Sequence, residues 1–133
     1  MLRYIVAAVL TGILFGTMDG LINGNPYAVK LLECFNPIAR QTINVPTGVL
    51  IDLFYGFAIS GIFIIIMPVL PAESAIIKGM IYGLGMWFFR VLMGVISYWM
   101  MFNIPAKTLV YLLLTGLFEM IILGIINGLI LKK

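Results

Sequence analysis

Small and polar residues recur four positions apart through four long apolar stretches of this chain. Residues 4–22 carry Ala8, Gly12, Gly16, Gly20 and Gly24 in one row. Residues 47–69 carry Gly48, Asp52, Gly56 and Ser60. Residues 72–102 carry Ala75, Gly79, Gly83, Arg90, Gly94 and Ser97, with Trp87 on the same side. Residues 107–131 carry Thr115, Glu119 and Asn127 in one row and Gly116, Gly124 and Gly128 in the next. At about 3.6 residues per turn such a row is one stripe of a helix. The remaining faces are apolar, so each stretch is predicted to be a membrane-spanning helix whose small stripe lets a neighbouring backbone approach closely.

The breaks between the stretches set the topology. Asn25-Pro26 fits an N-cap followed by proline at the first helical position. It opens a short helix over residues 27–35, with Lys30 and Glu33 towards water, lying at the membrane surface between spans one and two. Asn36-Pro37 stops it. Pro68 and Pro71 end span two, and Glu73 falls in the predicted first turn of span three, where the helix dipole favours an anion. The turn Asn103-Ile104-Pro105-Ala106 is too short for anything but antiparallel neighbours. The predicted fold is all-α: an antiparallel four-helix transmembrane bundle forming a single domain over residues 1–133.

Composition agrees with a membrane solvent. Of 133 residues, 63% are hydrophobic and 10% charged, and mean hydropathy is +1.18. A chain this short cannot bury that much apolar surface in itself, so lipid is expected to cover the rest. Residues 4–22 follow Arg3 but end without a small-residue cleavage pattern, and are read as a retained span rather than a leader. The net charge of +3 is scattered over helix ends and points to no nucleic-acid partner. The absence of histidine removes histidine-ligated haem, most zinc and copper sites and histidine-based catalytic triads. Cys34, the single cysteine, excludes an internal disulfide. No metal or cofactor is expected. Arg3, Lys78, Lys132 and Lys133 share one predicted side, and Lys30, Arg40 and Lys107 the other; the excess places both termini in the cytoplasm.

The ionisable groups inside the spans are the candidate chemistry. Arg90 lies about 20 Å before the 103–106 turn and Glu119 a little over about 20 Å after it, so the two opposite charges share a depth near mid-membrane. A lone charge facing lipid costs at least about 3 kcal/mol. Both are therefore expected to face inward and meet, although Arg90 has the reach to contact Asp52 instead. With Asp19 and Asp52 also in the spans, the interior holds three acids and one base. Full ionisation would leave two uncompensated negative charges, which calls for bound cations, water access or retained protons. Asn127 adds an uncharged polar group on span four. Trp87, Phe88 and Phe89 beside Arg90 would be the walls of a lipid or quinone pocket if one exists.

Thr11-Gly12 and Gly20-Leu21-Ile22-Asn23-Gly24 echo Thr115-Gly116 and Gly124-Ile125-Ile126-Asn127-Gly128, but the background of Gly, Ile and Leu makes coincidence the better account. The small multidrug exporters depend on a first-span glutamate, which this chain lacks, and the polar motifs of fluoride channels are absent. Lys78-Gly79, Gly83, Trp87, Pro105, Gly116, Glu119 and Gly124 resemble a loose group of uncharacterised prokaryotic four-span proteins over about half the chain; the resemblance implies an inner-membrane protein and no activity. Three functions follow from the residues. The first is a self-associating or accessory, structural subunit of a membrane assembly, in contact with lipid and with copies of itself or other membrane subunits. The second is a cation- or proton-coupled transporter or channel using Arg90, Glu119 and Asp52. The third is a quinone- or lipid-binding enzyme subunit, ranked last because no nucleophile–base pair is visible.

Overall fold

The computed structural model describes residues 1–132. It is all-helical, with no strand among the described residues. Helix α1 spans Leu2–Gly24, and α2, Pro26–Leu31, continues as a 3-10 turn over Leu32–Phe35. Helix α3, Val45–Ile66, ends in a 3-10 turn over Met67–Val69. The third long element is made of α4, Ala75–Trp87, a π-helical segment, Phe88–Leu92, and α5, Met93–Met101. Helix α6 covers Ala106–Leu131. Among the described residues four helical stretches are long and apolar enough to cross a membrane: Leu2–Gly24, Val45–Val69, Ala75–Met101 and Ala106–Leu131.

Local chemistry explains most of the boundaries. Asn25 is extended, with φ −75° and ψ 155°, and works in both directions. Its Oδ1 accepts from the Ala28 amide at 2.9 Å, while its Nδ2 donates to the Leu21 and Ile22 carbonyls at 3.0 and 2.8 Å. One side chain thus satisfies open carbonyls of α1 and an open amide of α2. Asn44 repeats the N-terminal half of this device, its Oδ1 accepting from the Thr47 amide at 3.1 Å ahead of Pro46. The surface helix is not left to lipid alone. Thr108 Oγ1 donates to the Leu31 carbonyl at 2.7 Å, and the Tyr27 ring meets Tyr111 edge-on with centroids 5.8 Å apart.

Span three departs from the sequence expectation in two ways. It begins at Ala75 rather than at residue 72, because the Ala72 amide turns back to the Leu70 carbonyl at 2.8 Å and Ser74 is extended. Glu73 therefore precedes the N-cap instead of sitting in the first turn. The span is also not one continuous α-helix. A π segment changes the hydrogen-bond step without demanding a particular residue, so the row of small side chains gave no sign of it.

Two glycine-mediated hairpins make the bundle. In the first, a Cβ on Gly12 would lie 2.8 Å from the Asp52 carbonyl oxygen, and one on Gly56 would lie 2.5 Å from the Gly12 amide and strike the Ala8 carbonyl. In the second, Gly79 faces the backbone of Gly124 and Ile125, Gly83 that of Met120 and Ile121, and Gly128 that of Ala75. Helices α1 and α6 join the hairpins, and Arg3 Nη1 donates to the Lys132 carbonyl at 3.3 Å, so both ends of the chain lie at one end of the bundle. We call this the terminal end and the opposite one the connector end. No more than 33% of the apolar window of any span is buried inside the bundle, which leaves the outer faces for lipid.

The glycine row of α1 does not pack along its whole length. Gly12 and Gly16 meet α3, but nothing lies within 4 Å of a Cβ built on Gly20 or Gly24. Towards the connector end α1 and α3 part around a crevice of about 720 Å³ bordered by Asp19, Gly20, Asn23 and Asp52.

Nearer the terminal end the interior is closed. Phe15, Ile59, Phe63, Met120 and Leu123 are all buried, and Tyr82 donates to the Ile59 carbonyl at 2.6 Å. Asn127, fully buried, ties three helices together. Its Oδ1 accepts from Ser60 Oγ at 2.6 Å, and its Nδ2 donates to Thr11 Oγ1 at 2.9 Å and to the Leu123 carbonyl at 2.8 Å. Interhelical hydrogen bonds in membrane proteins contribute about 0.6 kcal/mol each, with a maximum near 1.7. Asn127→Ala is accordingly expected to lower unfolding free energy in mixed micelles by about 1–3 kcal/mol, since it also leaves Ser60 and Thr11 without partners. A loss below measurement error would remove this network from the account of the bundle's stability.

Candidate functional site

Four helices bring the ionisable groups of the spans towards one region. Asp19 stands on α1, about 8 Å before the connector end of that helix, and Asp52 about 10 Å into α3 from the same end. Arg90 occupies the π segment, and Glu119 lies about 20 Å along α6. Contacts between the helices set their depths: Asp52 lies against Gly12, at the middle of α1, and Asp19 and Glu119 are level, each eight residues towards the connector end from the Thr11–Asn127 hydrogen bond.

Among the described residues the ion pair is Arg90–Glu119, with Nη1 and Oε2 3.8 Å apart. That separation exceeds a hydrogen bond, for which N–H···O distances run to about 3.2 Å. Asp52, the alternative partner, instead folds its carboxylate against Gly16, which has no side chain to exclude it. The Arg90 guanidinium stacks over Phe15, 4.6 Å from the ring centroid, and Tyr55, 5.2 Å away. These two contacts hold the cation in a polar–aromatic cleft where each ring offers its negative face. The arginine side chain keeps 29% exposure, whereas Glu119 keeps 3%. Glu119 Oε1 is buried and accepts no hydrogen bond from the described residues. A buried carboxylate oxygen left this way is costly, so this pair is poorly built as a purely structural clasp.

A cavity of about 310 Å³ leads to this pair. Ile22, Asn23 and Tyr98 border it towards the connector end, and Asp19, Tyr55, Arg90 and Glu119 further in. Asn23 Nδ2 donates to Asp19 Oδ1 at 3.0 Å, fixing that carboxylate at the side of the opening. Asp19 and Asn23 also border the α1–α3 crevice, so the two spaces adjoin at Asp19. At the terminal end a separate cavity of about 220 Å³ is bordered by Phe63, Met67, Glu73, Lys78, Gly128 and Lys132. The closed waist of Phe63, Tyr82, Leu123 and the Thr11–Asn127–Ser60 network lies between the two. Compared with protein-family models, curated proteins and solved structures, the chain matches none.

What the cluster does chemically has to follow from its own residues. Among the described residues no three His, Cys, Asp or Glu side chains are grouped to hold a metal ion. Arg90, Glu119, Asp19 and Asp52 come together around the two adjoining spaces, while Asn127 belongs to the waist. Of the packing glycines, Gly12, Gly16, Gly56, Gly79, Gly83 and Gly124 sit at helix crossings, and Gly116 packs against the Val91 side chain. The aromatic run beside Arg90 does not form a pocket wall: Phe88 and Phe89 are exposed, and Trp87 donates its Nε1–H to the Leu113 carbonyl at 3.0 Å. Phe15 and Tyr55 were missed in the sequence. The signal was available, since Phe15 stands four residues before Asp19 and Tyr55 three after Asp52, each stacked on the same helix face as an intramembrane acid.

Proposed function

We propose that the protein is a small cation- or proton-coupled translocator of a prokaryotic inner membrane, with both termini in the cytoplasm. The observation that carries the reading is the partnerless, buried oxygen of Glu119, a residue that borders a cavity together with Asp19 and Arg90. A carboxylate that loads and unloads a cation must be reachable and must not be fully satisfied by the protein itself. Glu119 borders the cavity and is left unsatisfied at Oε1, and a small shift of Arg90, which now rests on the aromatic cleft 3.8 Å from the acid, would open it. The waist supplies the barrier an alternating-access cycle needs, and the terminal cavity supplies the second mouth. The π segment under Arg90 gives the third span a place to bend, as such segments often do at functional sites.

Purified protein in vesicles carrying an internal pH dye is expected to dissipate an imposed proton gradient above protein-free controls. Glu119→Gln should abolish that flux while the helical content and the detergent-solubilised size stay unchanged. Wild-type vesicles indistinguishable from empty ones, with sodium or potassium on either side, would overturn the reading.

Orientation is tested through Cys34, which is exposed on the connector. In intact spheroplasts a membrane-impermeant maleimide should label it, and Cys34→Ser should remove the label. Labelling only after lysis would put the connector in the cytoplasm and reverse the orientation.

Self-association as an accessory subunit is the second reading. It is supported by Gly20 and Gly24, which have open space where a side chain would stand. Native mass spectrometry from mild detergent should then give a defined oligomer that Gly24→Leu disperses. The glycines at the helix crossings give this reading no support, because their close approaches are made within one chain.

A further inference from the structure

The connector-side cavity has the chemistry of a binding site for a small organic monocation. We infer that it takes an alkylammonium or alkylguanidinium ion, held between the carboxylates of Asp19 and Glu119, the buried Oε1 of the latter being uncovered on binding; this rests on the translocator reading and names its cargo class. Three features favour that class. A bare metal ion needs a close shell of oxygens, and the acids here are spread along the cavity rather than gathered. A proton alone needs no space of about 310 Å³. Tyr55, Val91, Val95 and Tyr98 give the cavity apolar and aromatic wall beside the two acids, which is how a site receives the carbon part of a ligand.

The protein already displays the recognition chemistry. The Arg90 guanidinium lies over two aromatic rings with a carboxylate 3.8 Å away, which is the arrangement an incoming guanidinium would seek. Arg90 acts as a tethered competitor. When the cargo engages Glu119, Arg90 stays on Phe15 and Tyr55 and gives up its approach to the acid, and when the cargo leaves, that approach is restored. The charge beside Glu119 is then kept close to constant through the cycle, which avoids exposing a bare buried carboxylate at any step. Asp19, half-buried and oriented by Asn23, supplies the second carboxylate that meets the ligand.

The test is a titration of micelle-embedded full-length protein labelled with carbon-13 at the arginine guanidinium carbon. Three arginines give three signals, and Arg90→Lys assigns the one of interest. Methylguanidinium and propylammonium should shift the Arg90 signal saturably, whereas potassium and sodium at equal ionic strength should not. Asp19→Asn should weaken that binding by about tenfold or more, and Glu119→Gln should abolish it. Saturable shifts with potassium or sodium would overturn the organic-cation assignment. No shift with either organic ion, in protein that still passes protons in vesicles, would overturn the site and leave translocation standing. Saturable binding in protein that passes neither protons nor the radiolabelled cation would uphold the site and overturn translocation.

Discussion

Gly124→Val is expected to prevent the second hairpin from closing. A Cβ at this position would strike the Gly79 carbonyl oxygen and come within 2.9 Å of the Gly83 amide nitrogen. Both obstacles are backbone, so no rotamer change relieves them, and two more methyl groups enlarge the clash. The helices can respond only by separating. Separation would also undo the contacts of Gly79 with Ile125, of Gly83 with Ile121 and of Gly128 with Ala75, because one interhelical distance governs all of them. Overpacking a core costs about 1–3 kcal/mol where side chains can yield, and more where they cannot. A loss of at least about 3 kcal/mol is therefore expected, a large part of a total stability of about 5–15 kcal/mol. Unfolding in mixed micelles and the yield of monodisperse protein measure it. Gly85→Val is the control: a Cβ there meets nothing within 4 Å, so it should be near neutral despite lying in the same hairpin, on α4. Equal losses at the two positions would mean that the cost reflects generic effects of valine rather than a specific crossing.

That contrast marks what the sequence could and could not reveal. Gly79 and Gly83 stand out as helix-crossing positions because their spacing matches that of Gly124 and Gly128, and two such rows on neighbouring antiparallel spans have reason to face one another. Gly85 lies outside the row. In α1 the same spacing runs from Gly12 to Gly24, yet only its first half packs, since the crossing angle decides where two helices part and no residue in the row records that angle. That Arg90 and Glu119 lie at similar depth was legible, because both distances are counted from one short turn, but the choice of Glu119 over Asp52 was not. Nor was the looseness of the pair: whether a side chain closes to 2.8 Å or rests at 3.8 Å depends on competing neighbours from other helices, here Phe15 and Tyr55. The Thr11–Asn127–Ser60 network was half legible. Ser60 and Asn127 each sat on a row of small or polar residues, whereas Thr11 lay beside one, and their meeting at one level is a property of the assembled bundle.

Charge removal at the pair should be strongly asymmetric. Arg90→Gln deletes the ion-pair partner of Glu119, leaving a carboxylate that is 3% exposed and already lacks a hydrogen bond at Oε1. Removing one member of a buried pair costs about 3–5 kcal/mol, and the lower end applies because the atoms stand 3.8 Å apart. Loss of the stacking on Phe15 and Tyr55 adds about 0.5–1 kcal/mol. Glu119→Gln removes the buried charge itself, and the arginine left behind retains its aromatic cleft and 29% exposure, so a cost below about 1.5 kcal/mol is expected. The double variant should then resemble Glu119→Gln rather than the sum of the singles, with a coupling of at least about 1 kcal/mol by the double-mutant cycle. Additive losses would show that the two side chains do not sense each other in the folded bundle. The functional consequence runs the opposite way to the energetic one. Glu119→Gln is the milder change for stability and the one expected to abolish flux, because the acid, and not its counter-charge, carries the cation. A variant that folds well and transports nothing separates a working carboxylate from a merely stabilising one. A double variant that regains both stability and flux would instead assign the pair to holding the helices in register.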